Sequence, residues 1–123
     1  MNKLFLIAGP CIIENREIPL LIGKKVKSIC DELGIDFIFK ASFKKANRTR
    51  LESFKGIGSK QSLEILQDVG RELDLKTITD VHESHEPELV ANYVDILQIP
   101  AFLCRQTELL LAAGQTGKVV SIK

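Results

Sequence analysis

The sequence has 123 residues, enough for one modest domain. Hydrophobic residues make up 45% and charged residues 27%, the balance of a soluble globular protein, and a net charge of +1 argues against a generic nucleic-acid binder. No apolar run approaches the ~20 residues of a membrane span. Three cysteines are too few for a disulfide framework, and the odd count favours a reducing cytoplasm.

Two strands and one helix are predicted in the first third of the chain. Residues 4–8 form a short apolar run that predicts a buried strand, which Gly9 and Pro10 end. Residues 17–33 predict a helix, because apolar residues recur there at spacings of three and four. Its expected buried face consists of Ile18, Ile22, Val26, Ile29 and Leu33. A second apolar run, 37–41, predicts the next strand.

The rest of the chain continues the alternation of strands and helices. A helix is predicted over 60–73, with Ser59 as its cap. The expected buried face of that helix is Leu63, Leu66, Val69 and Leu73. A short helix starts near Pro87, and another covers 105–113. Three further strands are predicted at 76–80, 94–99 and 119–122.

This alternation predicts an α/β fold with a parallel sheet covered by helices. In such folds the carboxyl ends of the strands converge on one rim, which carries the ligand site. Polar residues stand at or just after the predicted strand ends, namely Cys11, Lys40, Asp80, His82, Gln98 and Lys123. A charge or amide next to an apolar strand is costly without a partner. We therefore favour one shared site over unrelated surface residues.

The stretch 39–50, F-K-A-S-F-K-K-A-N-R-T-R, follows the second predicted strand. It carries five cations, Lys40, Lys44, Lys45, Arg48 and Arg50. Lysine supplies point charge, arginine a two-pronged fork, and the intervening hydroxyl and amide groups supply neutral hydrogen bonds. The stretch predicts a site for a phosphorylated or carboxylated ligand, although a solvated basic turn is the alternative. A lysine whose pKa is lowered by its neighbours could also form a Schiff base.

Residues 82–86, H-E-S-H-E, differ from the zinc motif H-E-x-x-H, because two residues rather than three separate the histidines. We expect Glu83, His85 and Glu86 to form a cluster at the start of a helix rather than a metal site.

Four strings resemble one enzyme family. They are I-A-G-P-C at 7–11, F-K-A-S-F-K-K-A-N-R at 39–48, T-D-V-H-E at 79–83 and Q-I-P-A-F-L-C-R-Q-T at 98–107. In this order, and over the whole chain, they resemble 3-deoxy-D-manno-octulosonate 8-phosphate synthase, also called 2-dehydro-3-deoxyphosphooctonate aldolase. The resemblance implies a (β/α)8 TIM barrel that condenses phosphoenolpyruvate with arabinose 5-phosphate and releases phosphate. It also implies a cytoplasmic transferase of lipopolysaccharide biosynthesis, assembled as a homotetramer.

The resemblance assigns substrate contacts to particular positions. The residues expected to contact phosphoenolpyruvate are Lys40, Lys45, Gln98, Ala101 and Lys123. Asn47, Arg48 and Thr49 are expected to contact the sugar phosphate, and Thr49 keeps the hydroxyl of the family's usual serine. Arg50 replaces a second serine, which leaves its effect on the phosphate open.

The resemblance also implies catalytic and metal-binding roles. The expected catalytic residues are Lys45, Asn47 and Asp80. Arg105 resembles the arginine that reaches the sugar phosphate of a neighbouring subunit. Cys11 resembles the cysteine ligand of the metal-dependent class, whose divalent metal is Zn, Fe or Mn. The family's other metal ligands, a His, a Glu and an Asp, lie in the half of the family that this chain does not match.

Length is the main departure from the family, since a (β/α)8 barrel typically needs ~250 residues. Residues 1–123 predict a single incomplete barrel domain, the N-terminal half, with four βα units and a fifth strand. We expect a truncated chain that is inactive alone and whose unpaired edge strands associate. Two alternatives are 3-deoxy-D-arabino-heptulosonate 7-phosphate synthase, which has K-P-R in place of K-A-N-R, and a non-catalytic phosphate-binding or assembly module.

Overall fold

Five strands and four α-helices alternate along the described part of the computed structural model, residues 3–44 and 58–123. The strands are β1 (Phe5–Ala8), β2 (Asp36–Lys40), β3 (Lys76–Asp80), β4 (Ile96–Ile99) and β5 (Val119–Ile122). The helices are α1 (Glu17–Leu33), α2 (Ser59–Leu73), α3 (Glu86–Val90) and α4 (Thr107–Gln115). A 3₁₀ turn, Ala101–Leu103, lies between β4 and α4.

The strands form one parallel sheet in the order β1-β2-β3-β4-β5, so each strand pairs with the next one along the chain. Each new strand is added on the same side of the previous one. Because the crossover connections are right-handed, all of the helices then lie on one face of the sheet. The sheet therefore curls into half of a barrel, convex toward the helices and concave on the other face. The predicted fold class, a partial (β/α) barrel, is confirmed.

Alternate side chains divide between the two faces of the sheet. Phe39 lies beside Gly23 of α1, and Thr77 lies beside Gly70 of α2, so both side chains face the helices. This convex side holds the main apolar core, which includes Phe37, Phe39, Leu63, Leu66, Val69, Leu73, Leu97 and Ile99. Because side chains alternate along a strand, the neighbouring residues face the concave side. The predicted face of α2 is confirmed.

The predicted buried face of α1 is wrong in part. Ile18, Ile29 and Leu33 are 46%, 44% and 66% exposed. The residues that pack inward are Pro19, Gly23 and Cys30. A β-carbon on Gly23 would lie 2.7 Å from Leu73 Cδ1 and 3.4 Å from the Phe39 ring, so the close approach of the helix requires a small residue. A parallel stripe of larger apolar side chains is left exposed.

The prediction that residues 4–8 form a buried strand is also wrong. Leu4, Phe5 and Leu6 are 71%, 55% and 40% exposed. The reason is that β1 pairs only with β2 among the described residues and is an edge of the sheet. The other edge, β5, likewise exposes Val119 and Ile122.

Several element ends differ from the prediction. Gly58, rather than Ser59, is the N-cap of α2, and Ser59 is its first helical residue. The predicted strand 94–99 begins at Ile96. The predicted helix 105–113 begins later, because a 3₁₀ turn follows Pro100 first. Within the described residues, no helix has both the length and the apolar character needed to cross a membrane.

Candidate functional site

Four of the polar residues predicted at strand ends lie at the same edge of the half-barrel. Lys40 ends β2 and Asp80 ends β3, while Gln98 of β4 is the register partner of Asp80. By the alternation of side chains, all three face the concave side. Lys123 follows β5 directly, and its backbone N–H donates to the carbonyl oxygen of Ile99 at 3.1 Å. We call this concave edge the rim.

Three polar atoms at the rim are buried without a hydrogen-bond partner in the described part of the chain. They are Asp80 Oδ1, His82 Nδ1 and Gln98 Oε1. Gln98 is only 4% exposed, so bulk water does not satisfy its amide. An unsatisfied buried polar group costs about 1–3 kcal/mol, and such groups are rare in native proteins. Asp80 Oδ1 and Gln98 Oε1 are acceptors, so this edge is a place where a polar ligand can supply hydrogen-bond donors.

His82 is a further rim residue, which the sequence pattern places just after a strand end without indicating a role for it in the site. Its imidazole lies beside Phe102 of the 3₁₀ turn, with ring centroids 6.2 Å apart. Val81, the preceding residue, belongs to the core on the convex side. The sequence does contain an indication of its place at the rim. His82 is two residues after Asp80, and residues two apart in an extended segment point to the same face of the sheet.

Hydrogen bonds tie the exits of β2 and β3 together. The Thr79 hydroxyl donates to the carbonyl oxygen of Ala41 at 2.7 Å, and both groups are buried. The Ser42 hydroxyl donates to Asp80 Oδ2 at 3.4 Å. The backbone N–H of Ile13 in turn donates to the carbonyl oxygen of Ser42 at 3.3 Å. The loops after the first three strands are thereby held in fixed positions relative to one another.

One of the five cations of the stretch 39–50, Lys44, is engaged by acidic residues. Its ammonium lies 2.5 Å from Glu86 Oε2 and 3.8 Å from Glu83 Oε2. Burial by itself raises the pKa of the Glu86 carboxyl, but the hydrogen bond from Lys44 and two backbone N–H groups outweigh burial and hold that pKa below its ordinary value. Lys44 therefore balances a buried carboxylate.

The Glu83, His85 and Glu86 side chains offer ligand atoms within 4.8 Å of one another, a spacing that a divalent cation can bridge. The Lys44 ammonium lies beside both carboxylates and supplies positive charge there. Cys11 is exposed and does not belong to this group. Among the described residues, no group of three potential ligands includes Cys11, so these residues do not by themselves fit the metal centre that the family resemblance implies.

The remaining predicted site residues are placed as follows. Ala101 opens the 3₁₀ turn after β4 and is exposed, and Arg105 is exposed just beyond that turn. The residues that lie outside the described part of the chain are Lys45, Asn47, Arg48, Thr49 and Arg50.

The chain is similar to known proteins over its whole length. The family model described as the DAHP synthetase I family matches residues 1–123. A 2-dehydro-3-deoxyphosphooctonate aldolase of Synechococcus sp. is 52% identical over 120 residues, which are 98% of this chain and 42% of that protein. The enzyme of the same name from Fusobacterium nucleatum is 50% identical over 122 residues, 99% of this chain and 44% of that protein.

A plant relative is equally similar. 2-Dehydro-3-deoxyphosphooctonate aldolase 2 of Arabidopsis thaliana is 52% identical over 119 residues, 97% of this chain and 41% of that protein. The chain thus spans less than half the length of the curated relatives that it matches.

Proposed function

Because this chain belongs to the DAHP synthetase I family, we propose that it forms the phosphoenolpyruvate-binding half of a 2-dehydro-3-deoxyphosphooctonate aldolase active site. The observation that carries the proposal is the gathering of Lys40, Asp80, Gln98 and Lys123 on one concave rim. They lie at the carboxyl edge of a parallel sheet, where barrel enzymes bind their substrates. Lys40 stands at the same edge and supplies positive charge.

The substrate of this proposal matches the chemistry of the rim. Phosphoenolpyruvate carries a carboxylate and a phosphate, and both need cations and hydrogen-bond donors in a site shielded from water. We assign these contacts to Lys40, Lys45, Gln98, Ala101 and Lys123. In the reaction, carbon three of phosphoenolpyruvate attacks the sugar aldehyde, water adds at carbon two, and phosphate leaves. Cations fixed at the rim stabilise the negative charge that develops in the transition state.

Arabinose 5-phosphate is the proposed second substrate. We assign its phosphate to Asn47, Arg48 and Thr49, and place Asp80 beside its aldehyde. Asp80 is held for this role by Ser42, whose hydroxyl leaves the second carboxylate oxygen, Oδ1, for the substrate. The catalytic residues of the proposal are Lys45, Asn47 and Asp80. Arg105 is exposed, which suits a role at the site of a neighbouring subunit.

The site needs a complementary half of the barrel. Within the described residues, β1 and β5 are open edges of the sheet, and the curated relatives are more than twice as long as the matched region. We propose that residues 1–123 are one incomplete barrel domain, which binds phosphoenolpyruvate but does not turn it over alone. A divalent metal held partly by Cys11 would draw its other ligands from outside the described residues. Such a metal would polarise the sugar aldehyde or activate the attacking water.

We expect the isolated chain to associate, because the edge strand β1 exposes Leu4, Phe5 and Leu6 next to unpaired backbone groups. Light scattering should give a mass above that of one chain. Replacing Phe5, which is 55% exposed, with lysine should lower that mass without unfolding the protein. A wild-type chain that remains a single monomeric species at high concentration would contradict this expectation.

Calorimetric titration with phosphoenolpyruvate tests the proposed binding site. Lys40→Met removes a rim charge but keeps the length of the side chain, and we expect it to weaken binding at least tenfold. Lys27→Met is the matched control, because Lys27 pairs with Asp31 on the exposed side of α1. If the two variants bind phosphoenolpyruvate equally well, the assignment of Lys40 is wrong.

A further inference from the structure

We propose that Glu86 is a positioning residue, which acts with Lys44 to hold the turn after β3 so that His82 faces the rim. Neither residue is assigned to substrate contact. Both lie just outside the rim. Glu86 is in the first turn of α3, and Lys44 is on the loop after β2. The inference rests on the proposed function only in treating the rim as the place where the ligand binds.

One oxygen of Glu86 fixes the backbone of the turn. Glu86 Oε1 accepts hydrogen bonds from the backbone N–H groups of His82 at 2.7 Å and Glu83 at 2.9 Å. A third bond closes the same turn, from the backbone N–H of Glu86 to the carbonyl oxygen of Glu83 at 2.9 Å. The His82 backbone is therefore bound directly by a carboxylate that is only 6% exposed. That backbone position sets where the His82 side chain begins, and its imidazole lies beside Phe102.

The other oxygen of Glu86 connects this turn to a different loop. Glu86 Oε2 pairs with the Lys44 ammonium, which comes from the segment after β2. Glu83 contacts the same ammonium at 3.8 Å, and His85 Nε2 lies 3.3 Å from Glu83 Oε2 at the exposed side of the group. Both oxygens of the Glu86 carboxylate are therefore bound. Oε1 binds the turn after β3, and Oε2 binds Lys44 on the loop after β2.

These contacts give the buried Glu86 carboxylate a structural role, although it is assigned no contact with the substrate. A carboxylate removed from water is costly unless hydrogen bonds and a counter-charge compensate it, and here it has two N–H donors and an ammonium. Lys40 and Asp80 are the last residues of β2 and β3, so the two loops that Lys44 and Glu86 join leave the sheet directly beside the site. His82 lies on the loop after β3, so a small shift at Glu86 moves this rim residue and changes ligand affinity.

Two substitutions separate the ion pair from the backbone contacts. Glu86→Gln keeps an oxygen that accepts the N–H groups of His82 and Glu83 but removes the charge that holds Lys44. Lys44→Met removes the ammonium and keeps the apolar stem. We expect each variant to bind phosphoenolpyruvate about fivefold more weakly than the wild type. The double variant should bind it no more weakly than the worse of the two single variants, because both substitutions remove the same interaction. Lys27→Met should leave binding unchanged.

Nuclear magnetic resonance tests the same inference without any ligand. The chain has two histidines, His82 and His85, so their ring signals can be assigned with a His85→Gln variant. The His82 ring signal should shift in both Glu86→Gln and Lys44→Met and stay in place in Lys27→Met. The proposal would be overturned if the His82 signal were unchanged in both variants. It would also be overturned if the wild-type chain bound phosphoenolpyruvate and both variants bound it with the same affinity. A wild-type chain that fails to bind would instead contradict the proposed function, and the ring signals would still decide the role of Glu86.

Discussion

Replacing Gly9 with alanine should destabilise the chain by more than about 3 kcal/mol, because the added β-carbon would overlap backbone of the neighbouring strand, which has few ways to move aside. A β-carbon on Gly9 would lie 1.8 Å from the carbonyl oxygen of Lys40 and 2.8 Å from its carbonyl carbon. Both atoms belong to backbone that is held in place, because Ala8 pairs with Phe39 in the sheet. The displacement that relieves this contact would also move Lys40 at the rim.

Urea unfolding of Gly9→Ala and Gly114→Ala measures this effect against a matched control. Gly114 lies in α4 with no atom within 4 Å of an added β-carbon. Alanine there should stabilise the chain by roughly 0.5–1 kcal/mol, because glycine is a poor helix former. Similar unfolding midpoints for the two variants would show that the loop after β1 does not approach Lys40 as closely as the structure has it.

Replacing Gln98 with methionine should raise stability and abolish most ligand binding at the same time. Gln98 is 4% exposed and its Oε1 lacks a partner among the described residues, so folding carries the cost of an unsatisfied amide. An apolar side chain of similar size removes that cost and should raise the free energy of unfolding by about 1 kcal/mol. The variant also loses the amide N–H₂ group, which can donate hydrogen bonds to an anionic ligand, so phosphoenolpyruvate binding should weaken at least tenfold.

Ser62 provides the control for this pair of measurements. Its hydroxyl oxygen is also buried without a partner among the described residues, but it lies on α2, which covers the convex face of the sheet rather than the concave one. Ser62→Ala should therefore raise the melting temperature and leave binding unchanged. A Gln98→Met variant that loses stability, or that binds phosphoenolpyruvate as the wild type does, would show that the buried amide has a structural partner and is not kept for a ligand.

Local signals in the sequence were sufficient for most of the fold. The start and end of α1 were predicted as the structure has them, and Gly34 ends that helix in the left-handed conformation, φ 67°, that favours glycine. The face of α2 was also predicted, because its leucines recur at helical spacing on one side only. The gathering of Lys40, Asp80 and Gln98 at one edge followed from the topology of parallel sheets.

The errors arose where the answer depends on contacts distant in sequence. On α1 the spacing of the large apolar residues indicates a different buried face from the one that contains Pro19 and Gly23. The helix can approach Phe39 only through a small residue, Gly23. The burial of β1 depends on which strand pairs with its other edge, which the run of apolar residues does not specify. The pairing of Lys44 could not be predicted either, because nothing local shows that its partner, Glu86, is 42 residues away.

A phosphate-release assay tests the central claim most directly. The chain would be assayed with phosphoenolpyruvate, arabinose 5-phosphate and a divalent metal, alone and mixed with the part of the Synechococcus relative that it does not match. We predict no release from the chain alone, and release from the mixture that EDTA abolishes, because the complementary half completes the site. Phosphate release by the chain alone, or none from a mixture in which the two halves coelute, would contradict the account.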